Sequence, residues 1–227
     1  MHDITLTSPG ALCYYADPFS ADPVRAGDWV GSVAECGTVN HKEIRFTPHG
    51  TGTHTECYGH ISADPEATID KCLTRFQFAA TLITAAPEQV GRDQVVTLAS
   101  VAARLPQPGL KEAVIFRTLP NDTAKAVRNY SGTNPPYLEP ALAHRLVALG
   151  IDHLLVDLPS VDPEIDGGKL LFHKAFWQTE GPAPLRRHAT ITELVFVPSH
   201  VPDGAYTVFI APAKWALDAA PSRVWLA

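Results

Sequence analysis

Leu138-Glu139-Pro140-Ala141-Leu142-Ala143-His144-Arg145-Leu146-Val147-Ala148-Leu149-Gly150, followed shortly by Leu154-Leu155-Val156-Asp157-Leu158, is the stretch from which the fold can be read. Pro140 fits a first helical turn, Leu142, Leu146 and Leu149 fall on one face, and Gly150 is a natural stop. The next five residues are too short and too apolar for a second helix and read as a strand. Upstream, Ala113-Val114-Ile115-Phe116-Arg117 is another short apolar run. Strand, helix and strand in this order predict a βαβ unit with parallel strands.

Further strands are expected at Phe76 to Ala85, Leu194 to Val197, Tyr206 to Ile210 and Arg223 to Leu226, from their β-branched and aromatic content. Glu43 to Thr47 alternates polar and apolar like a half-buried strand. Thr97 is a plausible N-cap for a short helix over 98–104, and Lys169 to Gln178 is a second helical candidate. Many strands with few helices predict an α/β fold with a mixed β-sheet or barrel and flanking helices. The 227 residues, 45% of them hydrophobic, suit one domain (1–227) with a loop-rich arm over residues 1–40.

The net charge of −6, with no basic run, argues against nucleic acid as the main partner. No apolar stretch is long enough to cross a bilayer, so no membrane role is expected. The chain start lacks the charged and apolar runs of a secretory signal, and the four cysteines are few and irregularly spaced. Reduced thiols in the cytoplasm are the expectation. Twenty prolines and fifteen glycines disfavour a long helical bundle.

Chemistry concentrates in His49-Gly50-Thr51-Gly52-Thr53-His54-Thr55-Glu56-Cys57-Tyr58-Gly59-His60. If Thr53 to Cys57 is extended, His54 and Glu56 share a face, because side chains alternate along a strand. A histidine nitrogen and a carboxylate on one face suit zinc or manganese. His60 can close the set after the turn at Gly59, and His49 can join across two glycines. The bland reading is a glycine-rich loop that happens to hold histidines. A second constellation follows the βαβ unit: Asp157, Ser160-Val161-Asp162-Pro163 and His173. Ligand-binding loops gather at such strand ends. His173 taken alone reads as a packed or surface histidine, and Asp157 and Asp162 as turn or capping residues.

Together the two segments resemble the cyclase-like metal-dependent hydrolases that include bacterial kynurenine formamidase. That family's signature is His-x-Gly-Thr-His-x-Asp-x-Pro-x-His. Gly52-Thr53-His54 and His60 match it in place, and Glu56 stands for its aspartate. Ser160-Val161-Asp162 looks like its Ser-x-Asp stretch, His173 like its later metal-binding histidine, and Asp203-Gly204 and Pro221-Ser222-Arg223 like its closing region. The likeness runs from about residue 43 to the C-terminus. It departs in three places. Gly50 occupies the first histidine position, with His49 one place earlier. Tyr58 replaces the proline. Glu193, the nearest candidate for a late glutamate ligand, is offset.

The resemblance implies a swivelling β/β/α fold, a divalent ion (zinc first, manganese second), and hydrolysis of a small amide or carbonyl substrate. N-formylkynurenine, in tryptophan catabolism, would be the arylformamidase substrate. The implied metal ligands are His49, His54, Glu56, His60, His173 and Glu193, with His60 or His173 carrying a proton. Tyr58, Phe172 and Trp177 are candidates to line the substrate pocket. A homodimer or homotetramer is expected. Two other readings stay open: a hydrolase or cyclase of another small cyclic carbonyl compound, and a non-catalytic binding module on the same scaffold.

Overall fold

The computed structural model describes residues 1–6, 10–182 and 185–227; residues 7–9 of the expected arm lie outside that description. Eight strands form the main sheet: β1 (His2–Asp3), β2 (His54–Glu56), β3 (Gln77–Ala85), β4 (Ala113–Thr118), β5 (His153–Val156), β6 (Thr190–Glu193), β7 (Gly204–Pro212) and β8 (Ala219–Leu226). Seven of them close into a barrel in the order β2-β8-β7-β3-β4-β5-β6, with β6 and β8 both pairing β2, and β1 adds outside β8. Among the described residues four α-helices accompany them: α1 (Ile69–Cys72), α2 (Leu98–Val101), α3 (Pro140–Ala148) and α4 (Leu171–Trp177).

The predicted βαβ unit is present, with β4 and β5 parallel and Val114 opposite Leu154. All six residues of β4 are buried, as a parallel strand covered on both faces requires. Alternation sorts them. Val114 and Phe116 pack with Leu142, Leu146 and Leu149 from the α3 side, whereas Ala113 and Ile115 face the barrel interior with Phe78, Leu155 and Val224. Each fully buried leucine contributes about 2 kcal/mol. Thr97 caps α2, its hydroxyl accepting from Ser100 N at 3.1 Å. Asp157, at the end of β5, accepts from Thr118 N at 2.9 Å and from buried Lys125 Nζ at 2.8 Å. It ties the sheet end together.

Three expectations are corrected. The strand expected at Leu194 to Val197 lies four residues earlier, at Thr190–Glu193, and Leu194 ends it with a φ of 53°. Its Thr-Ile-Thr-Glu sequence reads as polar but is fully buried, because Thr192 hydrogen-bonds Thr55 at 2.9 Å and Glu193 faces His54. The strand expected over 43–47 is Lys42–Arg45, and all four residues are exposed. It pairs only with Ser20–Pro23, so both faces of that ribbon meet water. The first forty residues are less irregular than expected. They contain three short strand pairings, and Ile4, Ala11 and Cys13 are buried against their own chain. Among the described residues no helix is long and apolar enough to cross a membrane.

His153 gives the fold a measurable acid sensitivity. Its ring is buried, lies tilted by 37° against the Phe78 ring with centroids 3.7 Å apart, and hydrogen-bonds Thr190. Burial lowers its pKa to about 4. Above the unfolded value of about 6.5 neither state is protonated. Below it the unfolded chain binds the proton first, so stability falls progressively between about pH 6.5 and 4. The wild type should lose roughly 2 kcal/mol more than His153→Gln between pH 7.5 and 5. Denaturant melts at the two pH values check this, and parallel curves for both proteins would refute it.

Candidate metal centre

The site assembles where the barrel closes on β2. The short strand holds His54 and Glu56 on one side and Thr55 on the other, and all three are fully buried. Antiparallel pairing sets Glu193 opposite His54 and Ala219 opposite Glu56. His54 Nε2 lies 3.3 Å from Glu193 Oε2. Its other nitrogen donates to Gly52 O at 3.1 Å. Gly52 adopts a φ of +73°, which puts that carbonyl where the ring needs it.

The other histidines follow the same plan. His173 Nδ1 donates to Asp162 Oδ2 at 2.6 Å while Nε2 faces Glu56 Oε1 at 3.2 Å. Asp162 also caps the start of α4, accepting from the backbone nitrogens of Phe172 and His173 at 2.8 and 3.1 Å. It is therefore the capping residue the sequence suggested and the partner that orients His173. His49 Nε2 donates to Asp218 Oδ2 at 2.8 Å and Nδ1 faces Glu56 Oε2 at 3.2 Å. In each ring an outer acceptor holds one nitrogen, so the other presents itself to the cluster. This is how metal-binding histidines are usually oriented. His60 differs: its side chain is 31% exposed, and its Nδ1 lies 3.5 Å from Asp218 and 3.8 Å from Glu56.

The displaced histidine is accounted for. A Cβ at position 50 would fall 2.2 Å from the Ala16 Cβ, so no side chain fits there. The tight turn Pro48–Gly50 takes up the extra residue and delivers His49 instead, with its ring centroid 5.2 Å from that of His54.

The electrostatics are those of a cation site. His54 Nε2, Glu56 Oε2 and Glu193 Oε1 are buried without a hydrogen-bond partner. An unpaired buried carboxylate oxygen costs several kcal/mol, which a bound cation offsets. Three overlapping groups can each hold an ion: His49, His54 and Glu56; Glu56, His60 and His173; and His49, His60 and Asp218. With protein groups alone, the histidines carry the compensating charge. Burial opposes protonation of His49, yet the Asp218 and Glu56 carboxylates beside it hold its pKa up to about 10. Burial also opposes protonation of His173, and Asp162 and Glu56 likewise hold it up to about 10. Burial pushes Glu56 upward, but His60, His173 and His49 together keep it well below the usual carboxylate range.

The expected pocket aromatics lie elsewhere. Phe172 and Trp177 are fully buried in the core between the sheet and the helices, and Trp177 donates to Ala189 O. Tyr58 is also buried, with its hydroxyl committed to Asp64 at 2.8 Å. Helix and turn packing consumes them, and Trp177 sets its ring against that of His173, with centroids 5.4 Å apart. Two groups near the cluster escaped the sequence reading. Asp218 is brought in only by the register of β8 against β2. Tyr14 sits in the tight turn Cys13 to Ala16, where Tyr14 and Tyr15 both take a positive φ (53° and 55°) and Ala16 N donates to Cys13 O. The residue is 42% exposed, while its hydroxyl meets Ser160. Burial and the nearby Glu193 push its pKa upward.

Comparison with known proteins agrees with this architecture. The Cyclase family model matches residues 3–163, so it begins earlier than the likeness expected from about residue 43 and ends before His173, Glu193 and the closing region. The kynurenine formamidase of Geobacillus thermodenitrificans (strain NG80-2) is 32% identical over 131 residues. That match covers 57% of this chain and 56% of the relative, so the chain spans little more than half the length of the curated relative it matches. A predicted metal-dependent hydrolase from Bacillus stearothermophilus superposes with a TM-score of 0.68 at 19% identity, covering 99% of this chain and 96% of that one. Isatin hydrolase A from Ralstonia solanacearum gives 0.64 at 16% identity, covering 98% and 89%. The two structures share the fold. The chain belongs to the cyclase family.

Asp162→Asn tests the orientation of His173. The amide keeps the shape but offers only one acceptor oxygen to groups that three donors now share. Affinity for zinc, read by competition with a chromophoric chelator, should fall about 10- to 100-fold. An unchanged affinity would remove Asp162 from the design.

Proposed function

We propose that this protein is a metal-dependent hydrolase of a small amide or related carbonyl substrate, with arylformamidase activity on N-formylkynurenine as the leading reading. The observation that carries it is that His49, His54 and Glu56 bring ligand atoms within reach of one ion, with unpartnered buried atoms on His54, Glu56 and Glu193 and the braced ring of His173 beside them. These five residues would hold the ion, with zinc favoured by the nitrogen-rich donor set and manganese second. A divalent ion held there polarises a carbonyl and supplies water that ionises near neutral pH.

The chain's own residues divide the remaining work. Hydrolysis adds water to the formyl carbon, breaks the C–N bond, and releases formate and the amine, which must gain a proton as it leaves. His173 has both nitrogens committed and is 2% exposed, so it serves orientation and binding and not proton transfer. His60 is the proton carrier: its side chain is partly exposed and held only loosely by Glu56 and Asp218. Tyr14, exposed at the rim with its hydroxyl turned inward, is placed to touch the substrate. Similarity to a kynurenine formamidase supports the formamide reading. The isatin hydrolase likeness, which is one of fold, makes cyclic amides the second substrate class to try. The proposal extends to a role in tryptophan catabolism, a cytoplasmic site of action, and a homodimer or homotetramer.

Zinc-loaded protein should release formate from N-formylkynurenine. His60→Ala should lose about 10²- to 10⁴-fold in kcat while keeping the metal content of the wild type by elemental analysis. His54→Ala should lose both. Stoichiometric metal with no turnover of N-formylkynurenine or isatin would defeat the hydrolase reading and favour a binding module. Absence of metal would defeat the site itself.

A further inference from the structure

Asp218 makes no appearance in the signature segments, yet its carboxylate closes the outer side of the cluster. Oδ2 accepts from His49 Nε2 at 2.8 Å and lies 3.5 Å from His60 Nδ1. The two rings it serves lie face to face, with centroids 4.2 Å apart and a tilt of 32°. Its backbone is pinned: Cys57 N donates to Asp218 O at 3.0 Å and Ile69 N to Leu217 O at 2.7 Å. The next residue, Ala219, is in register with Glu56. The carboxylate is thus held by a sheet ladder on the same strand pair that carries Glu56, while the His49 backbone belongs to a turn.

We infer that Asp218 is the positioning residue that lets His49 replace the ligand Gly50 cannot supply, and that it orients His60 from the same oxygen. A carboxylate only accepts, so it takes the Nε2 proton of His49 in a hydrogen bond and leaves Nδ1 as the nitrogen that faces the cluster. Without that anchor, a ring entering one residue early has no restraint on its far nitrogen. Asp218 acts through the two histidines and has no substrate contact in this account. Its side chain is 36% exposed. The inference rests on the metal reading proposed above.

The test compares wild type, Asp218→Asn and Asp218→Ala. Zinc affinity is measured by chelator competition, and the visible absorption of the cobalt-loaded proteins is recorded. The asparagine carbonyl still accepts from His49 Nε2, so Asp218→Asn should stay within about threefold of wild type and keep its cobalt spectrum. Asp218→Ala should bind about 10- to 100-fold more weakly and show an altered cobalt spectrum. A merely structural role would lower the melting temperature and leave that spectrum unchanged. If wild type binds metal and Asp218→Ala matches it in affinity and spectrum, or if Asp218→Asn is as weak as Asp218→Ala, the inference is overturned while the metal reading stands. If wild type itself binds neither zinc nor cobalt, the metal reading fails and takes the inference with it.

Discussion

The Glu56 carboxylate sits at zero exposure among His49, His60 and His173, with one oxygen lacking a hydrogen-bond donor. A buried charge of this kind is tolerated only when opposite charge is arranged around it. The surrounding architecture supplies that arrangement. Asp162 turns His173 inward and Gly52 turns His54. Glu193 comes from the neighbouring strand. Four negative side chains and four histidines share one small volume, a ratio suited to a divalent cation and poorly suited to an apolar ligand.

Barrel closure is what makes this meeting possible. β2 is only three residues long, but it joins β6 on one side and β8 on the other. Thr53 reinforces the seam: Leu6 N donates to its hydroxyl at 2.7 Å, and Ser222 N donates to its backbone oxygen at 3.0 Å. The histidine segment is therefore held between two strands and the N-terminal arm. The strained turn at Tyr14 and Tyr15 belongs to the same arm. Non-glycine residues pay a conformational cost at positive φ, and such strain concentrates at functional sites.

Much of this was legible in the chain. The α3 pattern and the flanking apolar runs of β4 and β5 follow from burial on both faces of a parallel sheet, where periodicity and propensity agree. His54 and Glu56 follow from strand alternation, and His60 and His173 from the family signature. Other features were not legible, for identifiable reasons. Thr190–Glu193 reads as a polar loop because its side chains are satisfied by partners far away in sequence. Phe172 and Trp177 look like pocket aromatics because composition does not tell the two faces of a seven-residue helix apart. Asp218 is visible only through sheet register, which no local pattern encodes. The rule that hydrophobic residues lie inside failed where the site is, as expected when chemistry overrides packing.

The central claim is that the cluster around Glu56 holds a divalent ion. The most direct measurement is a crystal structure of protein purified without chelators and supplied with zinc, with diffraction collected on both sides of the zinc absorption edge. The account predicts an anomalous peak among the side chains of His49, His54 and Glu56. Well-ordered density for these side chains with no peak among them, and Glu56 bonded only to protonated histidines, would contradict it.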